Sequence, residues 1–341
     1  EYWRESMTRF NAQNRVDATL ISNLRIMRRT LINQISKRCD KSKEIITGVV
    51  HALLSRSIFI KYLEERKDSN GETVFPQDFY CNFMESAKWY TDVLNSKEAT
   101  YNLFLTLKDK FNGDTLQVSE IETEIITQDD LNELRTFILG DSELESRQLT
   151  LWPLYSFDII PIQLISSIYE LFFHLSDEED EKGTYYTPLH LVNLVMDEVY
   201  PWEGEYKDIS FFDPSCGSGI FLVEAYRRLV CRWMSQNAVQ AITCDRLNFL
   251  LKNSIFGVDI NEEAIRVASF SLSLAMCDFL DPRSIWDKLS FPSLLGKNLI
   301  SSDFFDEDKS FNKERYDVIV GNPPWQSNIT EKTKEYLKKV N

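Results

Sequence analysis

Four short runs combine residue types and spacings that could do chemistry. The first is Asp213-Pro214-Ser215-Cys216-Gly217-Ser218-Gly219, set between an apolar stretch and an amphipathic one. Glycines at such a junction let the backbone approach a ligand where a Cβ would clash. Asp213 leaves a carboxylate at the junction, suited to an ammonium group. A dinucleotide-binding turn instead aims a helix N-terminus at pyrophosphate. The second run, Gly257-Val258-Asp259-Ile260-Asn261, places a carboxylate where it can accept both ribose hydroxyls, each bond worth about 1.5 to 3 kcal/mol, or cap the helix that follows. In the third, Ser302-Asp303-Phe304, the acid can accept from an adenine amino group while the aromatic covers the ring; a loop aspartate beside a core phenylalanine would read the same. The fourth is Tyr316-Asp317-Val318-Ile319-Val320-Gly321-Asn322-Pro323-Pro324-Trp325. Two prolines fix the backbone, so the Asn322 amide oxygen and the Pro323 carbonyl can both face one amino group. Accepting both of its hydrogens draws the nitrogen lone pair out of the ring and toward an electrophile. Trp325 offers a flat face on which a base can stack, worth about 1 to 3 kcal/mol.

Positioning these runs requires a sheet with one busy edge. After Lys182, short apolar strands alternate with amphipathic helices, which predicts a parallel sheet with crossover helices. Strands are expected at 209–212, 255–258, 298–301 and 316–320, and helices at 220–234 and 262–277. Each motif then falls at the carboxyl end of a strand, where such sheets bind ligands. The spacing from Asp213 to Asp259 exceeds the usual gap of about 20 residues, so 236–253 reads as an insertion.

Upstream, residues 1–157 read as helical: apolar residues recur every three or four positions, and Gly and Pro are rare. One stripe is Leu20, Leu24, Met27, Leu31 and Ile35; another is Ile46, Val49, Val50 and Leu53. Ser69-Asn70-Gly71 and Phe111-Asn112-Gly113-Asp114 are expected turns. A further helix is expected at 161–175, followed by a solvated acidic loop at 177–181. Between Arg25 and Lys43, seven basic residues (Arg25, Arg28, Arg29, Lys37, Arg38, Lys41, Lys43) face one acid, Asp40, as either a solvated helix face or a phosphate-contacting surface. The fold class is therefore α followed by α/β: an all-helical domain at 1–157, then a partial Rossmann-like sheet with flanking helices at 158–341.

Composition agrees with a soluble two-domain chain: 341 residues, 43% hydrophobic and 27% charged. A net charge of -15 argues against a chain that wraps nucleic acid by itself. No membrane span or signal peptide is expected, and a cytoplasmic location follows. The six cysteines form no CxxC pair and the three histidines are scattered, so neither a metal site nor a disulfide framework is expected. The chain opens on Glu1 and stops at Asn341 in a lysine-rich, helix-like stretch, and we expect a fragment of a longer polypeptide.

The four runs in this order, with Gly183-Thr184-Tyr185-Tyr186-Thr187-Pro188 upstream, resemble S-adenosylmethionine-dependent adenine-N6 DNA methyltransferases of bacterial type I and type IIG restriction-modification systems. Weaker likeness extends over 53–66 and 168–170. The resemblance implies that Tyr185, Tyr186, Thr187 and Pro188 close over the methionine end of the cofactor. It implies that Asp213, Gly217 and Gly219, with Pro214, Ser215 and Cys216 in the same loop, hold the methionine part. Asp259 with Ile260 would take the ribose, Asp303 with Phe304 the adenine, and Asn322, Pro323, Pro324 and Trp325 a flipped target adenine. Asn-Pro-Pro favours adenine over cytosine N4. Cytosine C5 chemistry needs a Pro-Cys nucleophile, whereas Cys216 sits in the cofactor loop and reads as packing. The implied partners are double-stranded DNA and a target-recognition part, either C-terminal or a separate specificity subunit. The chain ends 16 residues after Trp325, so later strands and that part are expected to lie outside it, and activity of the fragment alone is in doubt. A nuclease constellation is not seen. Two other readings stay open: methylation of a protein amide or RNA amine, and a non-catalytic cofactor-binding or scaffold domain.

Overall fold

The computed structural model describes residues 12–140, 187–306, 311, 315–323 and 330–340. The helix expected at 161–175, the acidic run at 177–181, and Tyr185, Tyr186, Pro324 and Trp325 lie outside the described residues. The chain forms two units, one of Glu1–Lys110 with Leu116–Pro161, the other of Phe111–Thr115 with Ile162–Asn341.

The first unit contains α1 (Ala12–Arg38), α2 (Lys43–Glu65), α3 (Tyr90–Val93), α4 (Lys97–Phe111), α5 (Glu120–Ile125) and α6 (Gln128–Leu139). Both apolar stripes face its core: Leu20, Leu24, Met27, Leu31 and Ile35 of α1 and Ile46, Val49, Val50 and Leu53 of α2 are all buried. Ser42 caps α2 by accepting from the Ile45 N–H at 3.4 Å. By length and composition alone α2 is apolar enough to cross a membrane, but 72% of its most apolar window is buried inside the protein, where it serves as a core helix. Within that core the Arg56 guanidinium pairs with Glu122 at 2.7 Å, donates to the Gln117 carbonyl at 2.6 Å and lies 4.6 Å from the Phe104 ring centre. A buried cation needs such partners, because removing one from a buried pair costs about 3 to 5 kcal/mol. The turn at Ser69-Asn70-Gly71 is closed by Asp68, whose Oδ1 accepts from Asn70 and Glu72 N–H groups, both at 2.8 Å. Of the basic run, Arg28 donates to His51 Nε2 at 2.8 Å and Arg38 pairs with Asp130, so these two serve helix packing. Arg25, Arg29, Lys37, Lys41 and Lys43 are exposed.

The second unit contains α7 (Leu189–Val199), β1 (Phe211–Asp213), α8 (Ile220–Gln236), α9 (Cys244–Ser254), β2 (Ile255–Asp259), α10 (Glu262–Cys277), α11 (Pro282–Lys288), β3 (Leu299–Ser301), β4 (Val318–Ile319) and α12 (Glu331–Val340). The strands form one parallel sheet in the order β3-β2-β1-β4. The chain builds outward from β1 to β3, then returns to the other side of β1, so strand order reverses between β1 and β4. Such a switch point opens a crevice beyond the carboxyl ends of the strands. Phe212, Val258 and Phe311 form a core under this edge, with Phe256, Ile300 and Tyr316 packed against it. The Phe212 and Tyr316 rings stack at 4.4 Å. The expected insertion at 236–253 is largely α9, whose Leu247, Leu250 and Leu251 are buried. Residues Phe111–Thr115 belong here because Asp114 accepts from the Ser269 hydroxyl at 3.0 Å and from the Leu294 and Leu295 N–H groups at 2.8 and 3.1 Å.

Candidate active site

β1 is apolar and fully buried up to Asp213, so the chain delivers a carboxylate to the sheet edge with 1% of its surface exposed. Asp213 Oδ1 accepts from the Ser215 N–H at 3.0 Å, which curls the loop back over the strand end. Gly217 and Gly219 take φ values of +53° and +83°, where a side chain is strained. A Cβ on Gly219 would lie 3.0 Å from the Ala268 Cβ of α10. This glycine therefore admits helix packing at the start of α8, a reason distinct from the ligand approach expected for it. Pro214 and Ser215 are half-buried, and the Ser215 hydroxyl oxygen is itself buried with no hydrogen-bond partner among the described residues. An orphaned polar atom of this kind calls for a ligand group or water. Cys216 is buried against Gly257, where a Cβ would come within 3.0 Å of its sulfur. Burial, with the Asp213 and Asp259 charges, pushes its thiol well above the ordinary range, so its role here is packing.

β2 ends at Asp259, half-buried beside exposed Ile260. The helix-capping alternative for Asp259 does not hold. Asn261 caps α10, accepting from the Glu263 and Ala264 N–H groups at 2.9 and 3.4 Å. Asp259 instead accepts from the Asn261 N–H at 2.8 Å and from the Gly217 N–H at 2.9 Å, so it latches the β1 loop to the β2 end. Beyond β3, Asp303 accepts from the Phe305 N–H at 2.9 Å and from the Thr330 hydroxyl. These are the contacts of a loop aspartate, the alternative reading of that motif. Phe304 is partly exposed, its ring centre 6.1 Å from Phe212 and 6.3 Å from Phe311.

β4 brings the last motif to the same edge. Asp317 accepts from the Ser210 N–H and hydroxyl, both at 2.8 Å, stapling β4 to β1. Gly321 then passes against the first motif: a Cβ there would lie 2.5 Å from Asp213 Oδ1. Only glycine permits this approach, and it sets Asn322 beside the Asp213 loop. Asn322 is half-buried, and its Nδ2 donates to Thr187 Oγ1 at 3.1 Å, two residues before α7. Pro188 is the N-cap of α7, and Pro323 is exposed. The structure thus brings Thr187, Asp213, Asp259, Asp303 and Asn322 to one edge of one sheet. Gly321 and the Asn322–Thr187 bond were missed from sequence. The readable signal for Gly321 was a glycine directly after a strand, a mark of close backbone approach.

Comparison with known proteins extends this picture. The family model for the Eco57I restriction-modification methylase matches residues 253–341, and that for the DNA-methyltransferase domain of MmeI matches residues 199–282. The adenine-specific methyltransferase PglX of Streptomyces coelicolor is 32% identical over 160 residues, covering 38% of this chain and 13% of its own length. The type II methyltransferase M.VspI of a Vibrio species is 27% identical over 174 residues, covering 51% of this chain and 32% of its own length. The type II restriction enzyme and methyltransferase RM.Eco57I of Escherichia coli is 25% identical over 220 residues, covering 51% and 22%. The chain therefore spans a third or less of these relatives. Among solved structures, the type IIL restriction-modification enzyme MmeI in complex with DNA covers 86% of this chain and 41% of its own at 15% identity, with a TM-score of 0.48. Over 199–341 this chain is similar to restriction-modification methylases and DNA-methyltransferase domains, and the relatives it matches include an adenine-specific methyltransferase.

Proposed function

We propose that this chain is the helical part and cofactor half of an enzyme that transfers a methyl group from S-adenosylmethionine to the N6 amine of an adenine in DNA, within a restriction-modification system. The observation that carries the reading is the close approach of Gly321, the residue directly before Asn322, to the Asp213 carboxylate at the β1/β4 switch point. A cationic ligand end and an amine acceptor are wanted side by side for this reaction.

The residues present fit the cofactor. Asp213 offers a buried carboxylate to an ammonium group, and the Ser215 hydroxyl offers a buried polar atom that lacks a partner. Asp259 faces the same loop and would hold the ribose, with Asp303 and Phe304 toward the adenine and Thr187 with Pro188 over the methionine end. When bound, S-adenosylmethionine supplies a methyl group activated by its sulfonium. Asn322 Oδ1 and the Pro323 carbonyl would accept both hydrogens of the target amine and turn its lone pair outward. No general base is needed beforehand, because the nitrogen becomes acidic only once methylated. Orientation and fixed dipoles supply most of the rate in such a site. Reaching the amine requires flipping the base from the duplex, which costs a few kcal/mol of stacking and pairing, on the order of 3. The full-length protein would meet DNA with a target-recognition part or specificity subunit, in the cytoplasm.

Asn322→Ala in the full-length protein is expected to abolish methylation of DNA while calorimetry still detects S-adenosylmethionine binding. Turnover retained by this variant removes the role assigned to Asn322.

A further inference from the structure

An asparagine amide carries an acceptor and a donor on one carbon, and exchanging them changes its shape very little. The proposed role of Asn322 needs its oxygen, never its NH2, toward the target amine. Something must therefore hold the side chain in its productive orientation. In the structure Asn322 Nδ2 donates to Thr187 Oγ1 at 3.1 Å, across 135 residues of sequence.

We propose that Thr187 is a positioning residue: its hydroxyl holds the NH2 of Asn322 and so presents Oδ1 to the substrate amine. This rests on the function proposed above. The geometry suits the task on both sides. Thr187 directly precedes Pro188, the N-cap of α7, and α7 is anchored through buried Val192 and Met196. Arg228 of α8 adds an ion pair to Asp197 at 2.7 Å, so the hydroxyl rides on an element clamped to the helix that follows the Asp213 loop. A β-branched side chain has few χ1 choices, which makes threonine a stiffer holder than serine. On the other side, Gly321, directly before Asn322, lies against Asp213. The Tyr-Thr-Pro run and the Asn-Pro-Pro run thus meet in one hydrogen bond, which gives Thr187 work at the target amine that is separate from any contact with cofactor.

The test uses the full-length protein with Thr187→Val, Thr187→Ser and Asn322→Ala. Valine matches threonine in shape but cannot accept a hydrogen bond; serine keeps the hydroxyl. Two quantities are read: the single-turnover methylation rate at saturating S-adenosylmethionine and duplex DNA, and the cofactor dissociation constant by calorimetry. Thr187→Val is expected to slow the saturated rate by about two- to tenfold, the worth of one net hydrogen bond. Thr187→Ser should restore most of the rate. The proposal is overturned if Thr187→Val keeps the full saturated rate, if its whole defect is weaker cofactor binding, or if Thr187→Ser is as slow as Thr187→Val. Methylation by Asn322→Ala would instead remove the functional reading beneath it. A silent Asn322→Ala beside a fully active Thr187→Val removes the positioning role alone.

Discussion

At the scale of single residues, the site rests on a contact in which one partner brings no side chain. Gly321 lets the chain cross over the Asp213 carboxylate at a distance that a Cβ would reduce to 2.5 Å. Gly321→Ala is therefore expected to displace Asp213 and weaken S-adenosylmethionine binding by about tenfold or more, given that a hydrogen bond to a charged group contributes about 1.5 to 3 kcal/mol. Circular dichroism should show an intact fold, since Gly321 lies outside every helix and strand; unchanged affinity would show that the close approach does not matter to the ligand. Asp213 and Asp259 were legible in the sequence as carboxylates directly after apolar runs, and Asn322 by the two prolines that follow it. Gly321 and the Thr187 bond were not, because both depend on which strand lies next to β1. Asp259 shows the same limit: its type and place left a helix cap open beside the ribose reading, and only the fold reveals that Asn261 does the capping while Asp259 latches the glycine loop.

At the scale of elements, the four strands lie within two residues of their expected ends, since short apolar runs bounded by polar residues leave little freedom. β1 begins at Phe211 rather than 209 because the Ser210 N–H is taken by the Asp317 carboxylate. The α10 boundaries follow directly from Asn261 and from the unbroken apolar face that ends at Cys277. The α9 insertion was visible only as excess spacing. Helix ends also set a pH dependence. Asp281 caps α11, accepting from the Ser284 N–H at 2.8 Å and its hydroxyl at 2.7 Å, and the Ser284 side chain in particular holds the carboxyl below its ordinary value. Because the folded value lies below the unfolded one, the cap's contribution is present above the ordinary aspartate value of about 3.9 and is lost as pH falls through the lowered folded value. Asp281→Ala should cost about 1 kcal/mol in urea unfolding at pH 7, and the gap to the parent should close once the carboxyl is protonated. A gap that persists undiminished in acid would assign the loss to packing.

At the scale of the whole molecule, a net charge of -15 looked at odds with a DNA substrate. The candidate site lies at one sheet edge of the second unit, while Arg25, Arg29, Lys37 and Lys41 of the first form an exposed basic run along α1 and the turn after it. The relatives extend well past the matched stretch: two-thirds or more of the length of each has no counterpart here. What the account claims above all is the identity of the methyl acceptor. The most direct test is to incubate the full-length protein with duplex DNA and S-adenosylmethionine labelled in its methyl group, digest the DNA to nucleosides and separate them. The account predicts label in N6-methyladenosine of the deoxy series and in no other nucleoside. Label in a methylated cytosine, or in protein with none in DNA, would contradict it.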